Sequence, residues 1–202
     1  MIDLYNHPLS PFAKRVRVLT AELGLPTRII EVDFTKGENR EPGFLAKNPN
    51  GKVPVISKDG CHLWESAAIL YELASENPKS GLVPAALSER AEMLRWMFWS
   101  AAHFEPAVGG IAYQTFIKPR FLNQQPDQAR IEELSRDFAR FAQVLNGHLA
   151  GRAWILGENF SIADVALGSI VELAQFLKIP LDPYPEIVRW LGALAARESW
   201  AA

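Results

Sequence analysis

Residues 1–33 constrain the fold more than any other stretch of the chain. Residues 1–5 have the composition of a short strand, and residues 13–24 carry apolar side chains at helical spacing. Ser10-Pro11 favours a helix start between them, because a serine hydroxyl accepts from free backbone N–H groups and proline has a preset φ. Residues 28–33 have the pattern of a second strand. This order predicts a βαβ unit whose Ser10 turn lies at the carboxyl edge of a strand, where open α/β sheets bind ligands.

A second group of elements follows a polar loop. Residues 52–57 and 61–64 are predicted as strands joined by a tight turn, and residues 65–75 as a helix. Pro54 lies near the start of the first of these strands, although proline cannot donate to a ladder. The first domain is therefore predicted as a βαβ–ββα unit over residues 1–76.

The second part of the chain, beyond a linker predicted at residues 77–87, has no convincing strand pattern. Its apolar spacing predicts helices at residues 88–114, 127–150, 165–177 and 185–196. A loop is predicted at residues 118–126. The segment Ser161–Asp164 has the spacing of a capping box, which explains it as structure. The fold class is therefore α/β followed by all-α, with residues 88–202 as a helical bundle domain.

Composition and charge argue against several classes of protein. The net charge of −2 gives no electrostatic reason to expect nucleic acid or an anionic membrane as a partner. No apolar stretch approaches the ~18 residues of a membrane span, and no basic segment precedes an apolar run as in a signal peptide. The single cysteine, Cys61, is expected to be an inert core thiol in a cytoplasmic protein. The four histidines lack metal-ligand spacing, so no metal is expected.

Four motifs together resemble the cytosolic glutathione S-transferase family. They are Ser10-Pro11-Phe12 followed by Arg15-Val16-Arg17, the NPNGKVP segment at residues 48–54, ESAAI at residues 65–69, and SIAD at residues 161–164. Their order and spacing fit over essentially the whole chain. The resemblance implies a thioredoxin-like first domain with glutathione bound along its edge as co-substrate, a helical second domain and a homodimer. The Ser-Pro-Phe arrangement resembles the serine-using classes (tau, phi, zeta and theta), in a short bacterial-like form.

Ser10 is the candidate catalytic residue. Glutathione must lose its thiol proton to attack an electrophile, and a free thiol has a pKa of about 8.5. A hydroxyl donor and a helix N-terminus both favour the thiolate, and helix N-termini are among the settings that lower thiol pKa values into the ~3.5–7.5 range. The third helical position is Ala13 rather than Glu, so no reciprocal capping box fixes the hydroxyl. The alternative is that Ser10 only caps the helix.

The NPNGKVP segment supplies four candidate glutathione-binding residues. In the family the proline that matches Pro54 is cis, and the backbone of the preceding residue, here Val53, pairs with the cysteinyl part of glutathione. The alternative is an ordinary trans proline on an edge strand. Lys52 and Asn50 are candidates for the glycine carboxylate of glutathione, and otherwise Lys52 is a solvated charge at a strand end.

Glu65, Ser66 and Phe12 complete the candidate glutathione-binding residues. Ser66 can offer its hydroxyl and N–H to a carboxylate at a helix N-terminus, and Glu65 can pair with an ammonium. These are the two charges of a γ-glutamyl group. The alternative is simple capping with an acid in the first turn.

The electrophile pocket is less well determined. Apolar candidates are Phe12, Trp99, Phe104, Ile111 and Tyr113, although aromatic residues on a long helix are usually core. His7 and His103 are further candidates, with a non-catalytic role as the alternative. The predicted activity is transfer of glutathione to a largely apolar small-molecule electrophile. The alternatives are a zeta-like isomerase, a disulfide reductase or a non-catalytic binding protein; the turn lacks the serine-rich stretch of the zeta class.

Overall fold

The computed structural model describes residues 1–202 and divides into two compact units, residues 1–85 with 197–202, and residues 86–196. The sequence assigned residues 197–202 to the helical domain, whereas they pack in the first unit. There the carboxylate of Glu22 accepts hydrogen bonds from Arg197 and Ser199, and Trp200 is buried.

A four-stranded mixed sheet forms the centre of the first unit. Its strands are β1 (Ile2–Asn6), β2 (Thr27–Glu31), β3 (Val55–Lys58) and β4 (Cys61–Trp64), in the order β2-β1-β3-β4. β1 and β2 are parallel, and the other pairs are antiparallel. The predicted βαβ–ββα order is confirmed. β3 begins three residues later than predicted, because Pro54 has no N–H to donate to the ladder.

Three α-helices accompany the sheet: α1 (Pro11–Glu22), α2 (Pro42–Leu45) and α3 (Ser66–Ser75). α1 and α3 pack against each other. Both helices carry fully buried apolar side chains, among them Val16, Leu19, Ile69, Leu70 and Leu73. Burial of each such side chain contributes roughly 1.5–3 kcal/mol to the stability of this unit.

The expectation that Cys61 lies in the core is wrong. The side chain is exposed at the first position of β4, directly after the hairpin turn at Asp59-Gly60. β4 is an edge strand with little cover at this end, and the flanking His62 is exposed as well.

The second unit is helical, as predicted. It contains α4 (Leu87–Trp99), α5 (Glu105–Ala112), α6 (Lys118–Phe121), α7 (Gln128–Leu149), α8 (Ile162–Phe176) and α9 (Pro185–Ala195). α6 occupies the start of the segment predicted as a loop. None of the helices combines the length and the apolar character that a membrane span requires. No group of three or more His, Cys, Asp or Glu side chains could hold a metal ion.

Two π-helical segments, residues 100–104 and 113–117, join α4, α5 and α6 into one helical run. Each closes with an i→i−5 hydrogen bond from the residue before a proline: Glu105 N–H to Ser100 C=O before Pro106, and Lys118 N–H to Tyr113 C=O before Pro119. A proline ring clashes with the carbonyl four residues earlier and cannot donate to it. The wider turn lets the helix continue through both prolines, which explains why it extends into the predicted loop.

The predicted capping box of α8 is present and fully buried. The carboxylate of Asp164 accepts from Ile155 N–H at 2.8 Å, Ser161 N–H at 2.9 Å, the Ser161 hydroxyl at 3.0 Å and Trp190 Nε1–H at 3.0 Å. Burial raises the pKa of Asp164 to about 6, although these donors act in the opposite direction. The interpretation of this motif as structure is confirmed.

Candidate functional site

Ser10 caps α1 and closes the turn that leads into the helix. Its backbone N–H donates to the His7 carbonyl at 2.9 Å, and its Oγ accepts from the Ala13 N–H at 3.1 Å. A hydroxyl has one proton and two lone pairs, so this capping bond leaves the proton available to an external acceptor. The residue is half-buried, and the partial positive charge of the helix N-terminus lies beside it.

The loop before β3 is fixed by amide side chains. Asn48 is buried, accepts from Asn50 N–H at 3.0 Å and donates to the Lys52 carbonyl at 2.7 Å. Asn39 donates to the Gly51 carbonyl at 2.8 Å. Gly51 has a φ of +62°, and a Cβ there would lie 2.9 Å from the Asn39 carbonyl oxygen, so only glycine fits. The loop is therefore held in one conformation.

Val53 presents an unused peptide group at the end of this loop. The Val53-Pro54 peptide bond is cis, as the resemblance implied. The Val53 side chain is buried in a cluster with Phe44 and Val55. Its backbone N–H and C=O form no hydrogen bond within the chain, so both can pair with an extended peptide.

Glu65 and Ser66 begin α3 in an unusual conformation. Glu65 has a φ of +71°, which is rare for a residue with a side chain and costs on the order of 1–3 kcal/mol. Ser66 is buried, and its Oγ accepts from Arg15 Nη1 at 3.1 Å. The guanidinium of Arg15, also buried, lies 4.8 Å from the centre of the Phe12 ring. Two helix N-termini are thereby linked through one buried cation.

The register of the sheet brings these segments to one edge. Tyr5 lies opposite Val55, and Val55 lies opposite Trp64. The carboxyl end of β1, the start of β3 and the end of β4 therefore meet, and each leads directly to a candidate segment. Ser10, the loop at residues 50–54 and the start of α3 share this edge, as the sequence predicts for a ligand site.

The sequence did not indicate two arginines at this edge, Arg15 and Arg40. Arg40 belongs to the polar loop predicted before the second group of elements. In the structure its side chain lies close to Gly51, with Nη1 3.3 Å from the position that a Cβ on Gly51 would occupy. Neither Arg40 nor Lys52 forms an ion pair with a carboxylate of the chain. Two exposed cations without carboxylate partners therefore lie at this loop, Lys52 within it and Arg40 beside it. Nothing in the sequence indicates which loop cation folds back onto residues 50–54.

The residues predicted for an electrophile pocket have varied environments. Phe104 and Ile111 are buried in the helical unit, so they belong to its core. Trp99 is half-buried and packs edge-on against Phe141. His103 and Tyr113 are exposed. In the first unit the ring of His7 stacks on Phe34 with centroids 4.8 Å apart.

Comparison with known proteins identifies the family. Residues 1–75 match the family described as Glutathione S-transferase, N-terminal domain, and residues 101–198 match Glutathione S-transferase, C-terminal domain. The chain belongs to the glutathione S-transferase family. Its thioredoxin-like first domain and helical second domain, predicted from the sequence, are thereby confirmed.

Three similar proteins cover nearly the whole chain of this glutathione S-transferase. It is 32% identical to glutathione S-transferase 3 of Zea mays and 33% identical to disulfide-bond oxidoreductase YfcG of Escherichia coli, in each case over 98% of this chain and 91% of the relative. A glutathione transferase family member from Pseudomonas fluorescens, solved with two glutathione molecules bound, is 30% identical, with a TM-score of 0.87 over 99% of this chain and 90% of that one. The likeness to glutathione S-transferase 3 indicates glutathione S-transferase activity.

Proposed function

We propose that this glutathione S-transferase is of the serine type, with Ser10 stabilising the glutathione thiolate for attack on a largely apolar electrophile. The observation that carries the proposal is that the Ser10 hydroxyl accepts one hydrogen bond within the chain and donates none. Its oxygen is occupied by the Ala13 N–H, and its proton has no acceptor within the chain. A sulfur anion at the positive end of α1 is the kind of acceptor that such a proton favours.

The γ-glutamyl end of glutathione would bind at the start of α3. Ser66 offers a hydroxyl and a first-turn N–H to the α-carboxylate, and Glu65 offers its carboxylate to the ammonium. Strain in the Glu65 backbone supports this role, because strained residues cluster at ligand sites. Phe12, about one third exposed in the first turn of α1, adds apolar surface next to Ser10.

The rest of glutathione would lie along the loop before β3. The unpaired N–H and C=O of Val53 can pair with the cysteinyl residue, and Pro54 flanks that contact. Lys52 and Arg40 supply positive charge for the glycine carboxylate, with Asn50 as a further donor. Glutathione would thus extend from the two cations at its glycine end to the Ser66 hydroxyl and the N-terminus of α3 at its γ-glutamyl end. Its sulfur would lie near Ser10.

The reaction needs only modest stabilisation of the thiolate. Lowering a thiol pKa by two units corresponds to ~2.7 kcal/mol, which a charge-assisted hydrogen bond and a helix dipole can supply together. The thiolate lone pair then forms the new C–S bond, and the leaving group departs with its electron pair. With 1-chloro-2,4-dinitrobenzene the leaving group is chloride, and the thiol proton has already passed to solvent. Positioning of the sulfur contributes as well.

Ser10→Ala tests the assignment. We expect turnover of 1-chloro-2,4-dinitrobenzene at pH 6.5 to fall about 100-fold, as when one donor to a reacting anion is removed. Glutathione affinity by calorimetry should change little, and the pKa of bound glutathione, read from thiolate absorbance, should rise. Ser10→Thr keeps the hydroxyl and is the matched control. Equal turnover in wild type and Ser10→Ala would remove Ser10 from catalysis.

A second candidate is glutathione-dependent disulfide reduction, favoured by the likeness to YfcG and to a structure holding two glutathione molecules. One glutathione thiolate would attack a substrate disulfide RSSR, forming GS–SR and releasing RS⁻. A second thiolate would attack the glutathionyl sulfur, releasing RS⁻ and glutathione disulfide. Hydroxyethyl disulfide as substrate distinguishes this activity from conjugation. Glutathione binding without turnover in either assay would favour a non-catalytic binding protein.

The family also supports a homodimer in the cytoplasm, which acts on a small molecule and needs neither nucleic acid nor membrane. With a net charge of −2, the chain has no overall electrostatic attraction to nucleic acid or to an anionic membrane. Sedimentation equilibrium tests the assembly: a mass of twice 22.5 kDa is expected, and a single-chain mass at micromolar concentration would contradict it.

A further inference from the structure

Arg15 is a buried cation that the proposed chemistry does not use. Only 2% of it is exposed, and Nη1 donates to the Ser66 hydroxyl at 3.1 Å. A guanidinium is costly to bury unless it is hydrogen-bonded, and the Ser66 hydroxyl is one of the groups that hold it here. A serine hydroxyl is a neutral acceptor, and this one lies at the first position of α3.

The Arg15 contact fixes the sense in which Ser66 can hydrogen-bond. A guanidinium only donates, so the Ser66 oxygen must accept from it. The Ser66 proton is then left to donate, and it has no acceptor within the chain. Ser66 is therefore held as a donor, just as the Ala13 N–H holds Ser10 as a donor.

We propose that Arg15 is a positioning residue that makes Ser66 selective for a carboxylate. This rests on the proposed function, in which Ser66 meets the α-carboxylate of the γ-glutamyl group. Arg15 keeps the Ser66 proton directed outward and places positive charge behind it, and both effects favour an anion over a neutral group. Ser10 and Arg15 both belong to α1, so one rigid element would hold the sulfur and, through Ser66, the carboxylate.

The test compares two peptides on Arg15→Met. One is glutathione, and the other is γ-aminobutyryl-cysteinyl-glycine, which lacks only the α-carboxylate. We expect Kd for glutathione to rise about 30-fold and Kd for the second peptide to change less than 3-fold. Turnover at saturating glutathione should stay within about 3-fold of wild type. An equal loss of affinity for both peptides, or no loss of affinity for glutathione, would overturn the proposal.

Ser66→Ala and the double variant show whether Arg15 acts through Ser66. Because the two residues form one contact, the double variant should lose no more glutathione affinity than the more damaged single variant. If the fold-losses in glutathione affinity of the two single variants multiplied in the double variant, the proposal would be contradicted. Arg17→Met is the matched control: it removes an arginine of the same helix that bonds to Asn6 instead, and should leave the ratio of the two Kd values unchanged.

Arg15→Gln keeps the proposal testable should Arg15→Met fail to fold. Its amide can still donate to Ser66 but carries no charge, so an intermediate loss confined to glutathione is expected. An unchanged ratio of Kd values in Arg15→Gln would overturn the charge argument. Wild-type protein that binds neither peptide would instead contradict the proposed function, so the two failures are distinguishable.

Discussion

Ser10 and Ser161 are both helix N-caps, yet their hydroxyls are in opposite situations. The Ser161 hydroxyl accepts from Ala163 N–H and donates to Asp164, so its proton is used within the chain, and the residue is fully buried. The Ser10 hydroxyl accepts from Ala13 N–H and donates to nothing, and it is half-buried. The same capping residue therefore has its proton used for stability where a carboxylate stands at the third helical position, and keeps that proton available to a ligand where none does.

Ala13 explains the difference at Ser10. A glutamate at this position would complete a capping box, but Ala13 is completely buried in a cluster with Phe44, Val53 and Val55. A longer acidic side chain has no room there. The packing under the loop at residues 50–54 thus excludes the group that would otherwise consume the Ser10 proton.

The largest expected effect on stability concerns the capping box of α8. Asp164→Ala leaves its four donors, three N–H groups and the Ser161 hydroxyl, without their acceptor. An unsatisfied buried donor costs about 1–3 kcal/mol, and after partial relaxation we expect a loss of 3–5 kcal/mol in the free energy of unfolding. Urea unfolding followed by circular dichroism measures it. A loss below 1 kcal/mol would mean that the box stabilises no more than an exposed cap does.

The sequence predicts those features of the two helix caps and of the candidate site that depend on residues close together in the chain. The capping box, the Ser10 cap and the start of α3 follow from neighbouring residues, so spacing alone was sufficient. The Arg15–Ser66 contact spans 51 positions and depends on how α1 packs on α3, which spacing does not reveal. Likewise the exposure of Cys61 depends on which strand lies at the sheet edge. The fold was predictable, whereas the buried cation of the site was not.

The next effect is the pH dependence of the same box. Burial raises the pKa of Asp164 to about 6 from its ordinary 3.8. The folded chain then holds this proton more tightly than the unfolded chain, so its contribution is complete below pH 3.8 and is lost as the pH rises through 6. The two-unit shift corresponds to about 3 kcal/mol.

Asp164→Asn removes this titration and is the reference for it. The free energy of unfolding of wild type, less that of Asp164→Asn, should fall by up to about 3 kcal/mol between pH 4 and pH 7. Because other carboxylates titrate in both proteins, only this difference reports Asp164. A difference that grows with pH would show that the four donors lower the pKa of Asp164 more than burial raises it.

The smallest effect compares the two serines directly. Ser161→Ala removes one buried acceptor and one donor to Asp164, so we expect a loss of about 1–2 kcal/mol in the free energy of unfolding with turnover unchanged at 25 °C. Ser10→Ala removes one half-exposed cap, so its loss should stay below about 1 kcal/mol even though turnover collapses. Unfolding and conjugation assays on the same preparations separate the two. If Ser10→Ala lost as much stability as Ser161→Ala, the Ser10 hydroxyl would be primarily a structural cap, because a group that holds its proton for a ligand has little to lose in the empty protein.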